Sequence, residues 1–170
     1  ADLFKPYSAS SENPAPLVII IPGFQRSKET LSNLAIELSR RGIVTISIDP
    51  YAQGISSSSL SKRAATEEGY GMFALVNYVY DTPNLNYIDK SKIGVTGHSA
   101  GGHLTAMLMA TNWKQYDLPF DVINGAVPIS GLFDLEPLRI SYLNADLHMT
   151  KEECVDVSPV HNLPKFMPPT

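Results

Sequence analysis

The sequence predicts an α/β fold with a doubly wound, mainly parallel sheet. Runs of β-branched residues alternate with amphipathic helical patterns along the 170-residue chain. Strands that alternate with helices form parallel sheets with right-handed crossovers and helices on both faces. Hydrophobic residues make up 44% of the chain and charged residues 18%, which is enough apolar material for one ordinary core. We therefore expect one domain over residues 1–170.

The first half contains two units of a strand followed by a helix. Prolines and small polar residues predict a short extended piece and then a loop over residues 1–16. The next run, 17–21, is typical of a strand buried on both faces, and an apolar stripe predicts a helix over 28–41. A second buried strand is predicted at 43–48 and a second helix at 65–80.

The second half begins with a third unit. A strand is predicted at 92–96, and the helix after it, 101–111, is apolar nearly all round, which indicates a central and buried position. A fourth strand is predicted at 125–129, although Pro128 removes one ladder donor. Beyond this strand the periodicity fades, and four prolines within 158–170 indicate a loop.

Charge and cysteine content exclude several classes of protein. The 13 Lys and Arg residues against 17 Asp and Glu give a net charge of -4, which argues against nucleic acid as a partner. No apolar run is long enough to span a membrane. The single cysteine, Cys154, lies among carboxylates that disfavour a thiolate, so we interpret it as structural. No Cys/His cluster has the spacing of a metal site, and a cytoplasmic location is the default expectation.

One motif carries chemistry. Gly97-His98-Ser99-Ala100-Gly101 matches Gly-x-Ser-x-Gly and stands between a predicted strand and a predicted helix, the setting of a nucleophile elbow. The turn is so sharp that a side chain at either glycine would meet the neighbouring strand or helix. Ser99 is then the nucleophile, and the backbone N–H of Ala100 faces the developing oxyanion. The alternative is a tight turn without chemistry.

A second oxyanion donor is predicted in the loop after the first buried strand. In Pro22-Gly23-Phe24-Gln25, the backbone N–H of Phe24, or that of Gln25 as the alternative, points at the same oxygen. Gly23 permits the close backbone approach that this arrangement needs. A plain Pro-Gly turn is the structural alternative.

Four segments of the second half share a pattern with a known family. They are Gly-His-Ser-Ala-Gly-Gly-His-Leu at 97–104, Ala-Val-Pro-Ile-Ser-Gly-Leu-Phe-Asp-Leu-Glu-Pro-Leu at 126–138, Ser-Tyr-Leu-Asn at 141–144 and Ser-Pro-Val-His at 158–161. Over residues 94–170 the chain resembles the kynurenine formamidase (arylformamidase) and esterase branch of the α/β-hydrolases. The first half, with strands that end in Pro-Gly-Phe and Asp-Pro, is more similar to dienelactone hydrolases and cutinases.

The resemblance implies a fold and an activity, and it also implies that some elements of the family fold are not represented. It implies a serine hydrolase that cleaves a small carboxylic ester or arylformamide through an acyl-enzyme, with no metal or organic cofactor. In the family the catalytic acid and base follow the nucleophile, the base near the C-terminus, and Met167-Pro-Pro-Thr170 resembles the stretch before the strand of that acid. The upstream antiparallel strands are likewise represented only by Asp2-Leu-Phe-Lys-Pro6. We therefore expect a partial hydrolase core that lacks the last strands and helix.

The acid and base have one candidate pair inside the chain. Asp134 follows the strand after the elbow and His161 lies downstream, so Ser99, Asp134 and His161 stand in the order of a triad. Asp134 reads equally as a helix N-cap, and His161 as a loop residue that bonds backbone. A complementing chain that pairs with the open sheet edge is the other source.

Further polar and aromatic residues have structural interpretations beside functional ones. His98 and His103 flank the elbow, and structural hydrogen bonding is the expected role of both. Asp49 reads as a structural carboxylate that bonds loop N–H groups, and His148 has no supporting context. Two aromatic residues, Tyr51 and Trp113, are expected either to line an acyl pocket or to pack in the core. Two residues of the formamidase-like segment, Tyr142 and Asn144, are expected to shape a cap over the site.

The sequence therefore leaves two different functions open. The first is hydrolysis of a small-molecule ester or amide by Ser99. The alternative is a catalytically incomplete hydrolase fragment, or a binding or assembly module that keeps the serine and self-associates through its exposed sheet edge.

Overall fold

The computed structural model describes residues 1–50 and 74–163. Within them the strands are β1 (Asp2–Phe4), β2 (Ala15–Ile21), β3 (Val44–Ser47), β4 (Ile88–His98) and β5 (Gly125–Ile129). They form one sheet in the order β1-β3-β2-β4-β5. β1 is antiparallel to β3, and all other neighbouring pairs are parallel. The predicted mainly parallel sheet is confirmed.

The helices of the described residues fall into two groups. The longer ones follow strands: α1 (Ser32–Arg40), α2 (residues 74–81) and α3 (Ala100–Ala110). The shorter ones follow β5: α4 (Glu136–Arg139), α5 (Asn144–Leu147) and α6 (Lys151–Asp156). Short 3-10 helices cover Lys28–Leu31, Pro83–Leu85, Trp113–Tyr116 and Pro159–His161.

Most predicted elements are present, with shifted ends. The strand predicted at 125–129 has the observed bounds, whereas β4 begins before the predicted 92–96 because Ile88 already pairs with Ala15 of β2. The helix predicted over 28–41 is a 3-10 turn followed by α1. Residues 65–73 of the second predicted helix lie outside the described residues.

The core surrounds the two central strands. Leu17, Ile19 and Ile21 of β2 are fully buried, and Ile93 and Val95 of β4 pack beside them. α3 is buried almost all round, as its apolar composition predicts. Burial of this much aliphatic surface is the main force that holds the sheet and its helices together.

The connections diverge at the centre of the sheet. β2 leads through α1 to β3 on one side of it, and β4 leads through α3 to β5 on the other. Right-handed crossovers in opposite directions place α1 and α3 on opposite faces. The chain thus leaves the neighbouring carboxyl ends of β2 and β4 in opposite directions. Such a place is a topological switch point, and it leaves a crevice in which α/β proteins bind ligands.

Candidate active site

Ser99 occupies a strained turn at this switch point. It stands between the last residue of β4 and the first of α3, with φ 57° and ψ -116°. Its N–H donates to Ile129 O at 2.9 Å, and its carbonyl accepts from His103 N at 3.0 Å. A non-glycine residue rarely adopts a positive φ, so these two backbone bonds hold a conformation that the chain would otherwise leave.

The glycines that flank Ser99 are required by space. A Cβ on Gly97 would lie 2.7 Å from the carbonyl oxygen of Ile21, and one on Gly101 would lie 2.6 Å from that of Pro22. Real Cβ atoms essentially never approach backbone oxygen so closely. The steric argument made from the pentapeptide is therefore confirmed: β2, β4 and α3 meet at distances that only glycine allows.

The loop after β2 lies against the elbow. A Cβ on Gly23 would stand 3.3 Å from His98 O and 3.5 Å from Ser99 Cβ. The loop then turns, with Arg26 N–H donating to Gly23 O at 3.0 Å and Gln25 at φ 55°. Phe24 is 44% exposed within this turn. The two predicted sources of oxyanion donors thus lie beside the same serine.

The far end of this loop is fastened to β3. Lys28 N–H donates to Asp49 Oδ1 at 2.8 Å, and Ser47 Oγ donates to the carbonyl of Lys28, also at 2.8 Å. The Lys28 ammonium binds Asp2 of β1, which raises the pKa of that lysine. The structural role predicted for Asp49 is confirmed.

The N-terminus of α3 adds a favourable field at Ser99. The first N–H groups of an α-helix have no acceptor within the helix, and its dipole favours negative charge at this end. Ala100 is the first residue of α3, so its N–H belongs to this set. An oxygen that gains negative charge next to Ser99 would meet these donors.

Asp134 lies in the loop after β5, and His161 ends the 3-10 helix Pro159–His161 next to that loop. Val160 N–H donates to Phe133 O at 3.0 Å, so the residues that adjoin the candidate acid and base are in contact. Asp134 Oδ1 accepts from Glu136 N at 2.9 Å, but the N-cap of α4 is Leu135, so Asp134 precedes the cap position rather than occupying it. His161 is exposed. Across residues 1–50 and 74–163, no hydrogen bond joins Ser99 Oγ to a histidine ring.

The other aromatic candidates divide between packing and exposure. Trp113 is 1% exposed, and its Nε1–H donates to Leu108 O at 3.0 Å, so it packs in the core. Tyr51 lies outside the described residues. Tyr142 is exposed, whereas Asn144 bonds the N–H and carbonyl of Met149 and closes a turn between α5 and α6.

The remaining histidines differ in surroundings. His103 is buried, and its Nε2–H donates to the carbonyl of Val157 at 2.7 Å, so its predicted structural role is confirmed. Burial lowers the pKa of this imidazole, against a smaller opposite effect of the Val157 carbonyl. His98 is exposed beside Gly23, and His148 is exposed with a left-handed backbone at φ 51°.

The sequence patterns did not predict the three described α-helices after β5. They pack around a separate small cluster of Leu135, Met149 and Cys154. One signal pointed to α6: the Thr150 hydroxyl accepts from Glu153 N, and the Glu153 carboxylate accepts from Thr150 N, which is a capping box. The Thr-x-x-Glu pattern is visible in the sequence.

Cys154 is a buried member of this cluster. Its thiol is buried, which raises its pKa, and the Glu136 carboxylate 3.6 Å from Sγ adds to that rise. Glu136 itself pairs with Arg139, which lowers the pKa of the carboxyl to about 2. The prediction of a structural cysteine is confirmed.

The described residues contain neither a metal-binding cluster nor a membrane-spanning helix. No group of three or more His, Cys, Asp or Glu residues in 1–50 and 74–163 has the arrangement of a metal site. None of the described helices combines the length and apolar character needed to cross a membrane.

Comparison with known proteins assigns the family. The BD-FAE family model matches residues 1–169. The chain belongs to the BD-FAE family. Its mostly parallel sheet with flanking helices is that of a partial α/β-hydrolase fold, in agreement with the resemblance seen in the sequence.

Curated relatives extend well beyond the part that matches. Kynurenine formamidase of Danio rerio is 30% identical over 161 residues, which is 93% of this chain and 50% of that protein. Kynurenine formamidase of Salmo salar is 29% identical over 168 residues, 97% of this chain and 52% of that protein. The chain thus spans about half the length of the curated relatives it matches.

Solved structures support the fold. The apo form of Thermogutta terrifontis esterase 2 superposes with a TM-score of 0.73 at 19% identity and covers 98% of this chain and 63% of the esterase. At this identity the likeness establishes the fold alone. The part of the esterase fold represented here includes the sheet centre on which Ser99 stands.

Proposed function

We propose that the chain carries the nucleophile and oxyanion loop of a serine hydrolase that cleaves a small carboxylic ester or arylformamide. Ser99 Oγ attacks the carbonyl carbon while a base takes its proton, and the N–H groups of Phe24 and Ala100 donate to the oxyanion. The alcohol or arylamine leaves, and water then releases the acyl group. The positive φ of Ser99 between β4 and α3 carries the proposal, because such strain persists chiefly at functional sites.

The relatives and the loop geometry support the substrate class and the base. The relatives are formamidases and the fold neighbour is an esterase, which favours a carbonyl substrate of one of these two kinds. Asp134 and His161 are the proposed acid and base within the chain. They follow Ser99 in triad order, and the hydrogen bond between Phe133 and Val160 brings their loops together.

Labelling with a fluorophosphonate probe, read by intact mass, tests the proposal. We expect one adduct on the folded protein and none on Ser99→Ala, because phosphonylation needs an activated serine rather than an exposed one. His161→Ala should abolish the adduct if His161 is the base, whereas His148→Ala should leave it. A folded protein without an adduct would contradict the proposal.

An assembly role is the second candidate, and β5 favours it, because β5 is the last strand of the sheet within the described residues. Val127 and Ile129 of β5 are 59% and 42% exposed, and exposed apolar residues on an edge strand promote association. In that case the chain self-associates or pairs with a complementing chain, and the serine stays unreactive. A mass that rises with concentration in light scattering, together with no fluorophosphonate adduct, would favour this function over hydrolysis.

A further inference from the structure

The residues after β5 form a distinct unit on the elbow helix. We define the cap segment as residues 131–163, which hold α4, α5, α6 and their small cluster of Leu135, Met149 and Cys154. At its start Gly131 lies against α3 so closely that an added Cβ would stand 2.9 Å from the backbone carbon of Gly102. The segment therefore touches the helix that begins immediately after Ser99.

His103 makes the second contact, and it is polar. It lies one turn after Ser99 on α3, and its N–H closes the first helical hydrogen bond to the Ser99 carbonyl. The ring is 6% exposed, and its Nε2–H donates to Val157 O at 2.7 Å. A buried N–H donor that loses its acceptor is costly to the fold, so the bond from the buried His103 ring holds the two elements together.

Further hydrogen bonds connect Val157 and the residues after it to the segment that contains Asp134. Val157 is the C-cap of α6. The next residue, Ser158, is fully buried, and its hydroxyl donates to Cys154 O and accepts from Leu135 N. Val160 N–H then donates to Phe133 O. Leu135 and Phe133 adjoin Asp134 on either side, so its place follows from that of residues 157–160.

We propose that His103 is a positioning residue that fastens the cap segment to the nucleophile helix. The imidazole is held neutral, donates through Nε2 to the Val157 carbonyl, and touches no substrate. It fixes the loops of Asp134 and His161 relative to Ser99. The effect on hydrolysis rests on the proposed function, whereas the fastening itself does not.

Cys154 is a built-in reporter of this contact, because its thiol is buried in the cap segment. The test compares the rate at which a dithiodipyridine reagent modifies Cys154 in the wild type and in three variants. His103→Leu keeps the bulk and loses the donor, and His103→Gln keeps an N–H donor. Thr105→Val is the matched control, since the fully buried Thr105 hydroxyl donates to Gly101 O within the same helix.

We expect His103→Leu to react about tenfold faster, as loss of one buried hydrogen bond allows. His103→Gln should recover most of the protection, and Thr105→Val should stay within about twofold of the wild type. Equal rates in wild type and His103→Leu would overturn the proposal, and so would equal rates in the Leu and Gln variants. If His103→Leu does not fold, His103→Asn replaces it, because its amide is too short to reach Val157.

Fluorophosphonate labelling of the same samples separates the two proposals. If the wild type is labelled at Ser99, the variants that expose Cys154 should be labelled more slowly, and unchanged labelling would contradict the positioning role. If the wild type is not labelled, the proposed function fails. The Cys154 rates then still decide whether His103 fastens the cap segment.

Discussion

Close packing of backbone explains the residues on either side of Ser99. Gly97 and Gly101 sit where β2, β4 and α3 converge, and an added methyl group at either one would overlap a carbonyl of the neighbouring strand end. The sequence reveals both positions because the Gly-x-Ser-x-Gly pattern and its strand-to-helix setting are local. Partners far along the chain are different: nothing in the residues around His103 indicates that its ring bonds Val157, 54 residues away.

Gly101→Ala should disrupt the elbow. The added Cβ would stand 2.6 Å from Pro22 O, so the loop after β2 or the start of α3 must shift. We expect the free energy of unfolding to fall by about 1–3 kcal/mol, the usual cost of overpacking, and Ser99 to lose its fluorophosphonate reactivity. Urea unfolding and probe labelling measure the two effects.

Gly94→Ala is the control for this substitution. It adds the same methyl group to β4, the strand that leads into the elbow, where the nearest atom, Val18 Cγ2, would lie at an ordinary 3.5 Å. The control should therefore unfold close to the wild-type urea concentration. Coincident unfolding curves for the two alanine variants would show that the elbow tolerates a side chain at residue 101.

At the scale of elements, strong patterns were predicted and weak ones were not. The runs of buried β2 and β3 and the all-round apolar α3 are long or regular enough to stand out in the sequence. α4 and α5 have four residues each and α6 has six, so none completes two helical turns or shows a readable periodicity. Their stability comes from packing against each other, which a single sequence does not display.

Docking of the cap segment should weaken as the pH falls. Burial lowers the pKa of His103 below its ordinary value of 6.5, and the Val157 carbonyl is the other described group that acts on it. When the cap segment is undocked, the His103 imidazole takes up a proton near pH 6.5, whereas in the docked state it stays neutral. Cys154 is therefore fully protected above that pH, and the protection is lost as the pH falls below it. The Cys154 modification rate, divided by that of His103→Gln, should rise up to about tenfold between pH 7.5 and 5.5.

Division by the His103→Gln rate removes the pH dependence of the thiol itself, since Cys154 is the same in both proteins. A ratio that stays flat over this range would mean that His103 is not what senses the pH. Glu136 is a separate group and does not interfere, because Arg139 lowers its carboxyl pKa to about 2.

Residues 1–50 and 74–163 build two hydrophobic cores of unequal size. The main core fills the space between the sheet and the longer helices, and the small cluster of the cap segment lies apart from it. The sequence predicted the first, because its residues recur with strand and helix periods. It could not predict the second, whose members Leu135, Met149 and Cys154 come from loops and short helices. The parallel pairing of strands likewise follows from their alternation with helices, whereas the approach of residues 131–163 to α3 depends on tertiary contacts alone.

We expect the two cores to differ in their free energy of unfolding, and one alanine substitution in each core should show the difference. Ile19 is 1% exposed in the central strand, so Ile19→Ala should lower the free energy of unfolding by about 2–5 kcal/mol. Met149→Ala removes apolar contacts only from the small cluster, so Cys154 should react faster while the urea midpoint of the main transition moves little. Tryptophan fluorescence follows the main core, because Trp113 is buried within it. If Met149→Ala shifted that transition as far as Ile19→Ala does, the cap segment and the sheet would unfold as one cooperative unit, and the contact through His103 and Val157 would then transmit stability as well as position.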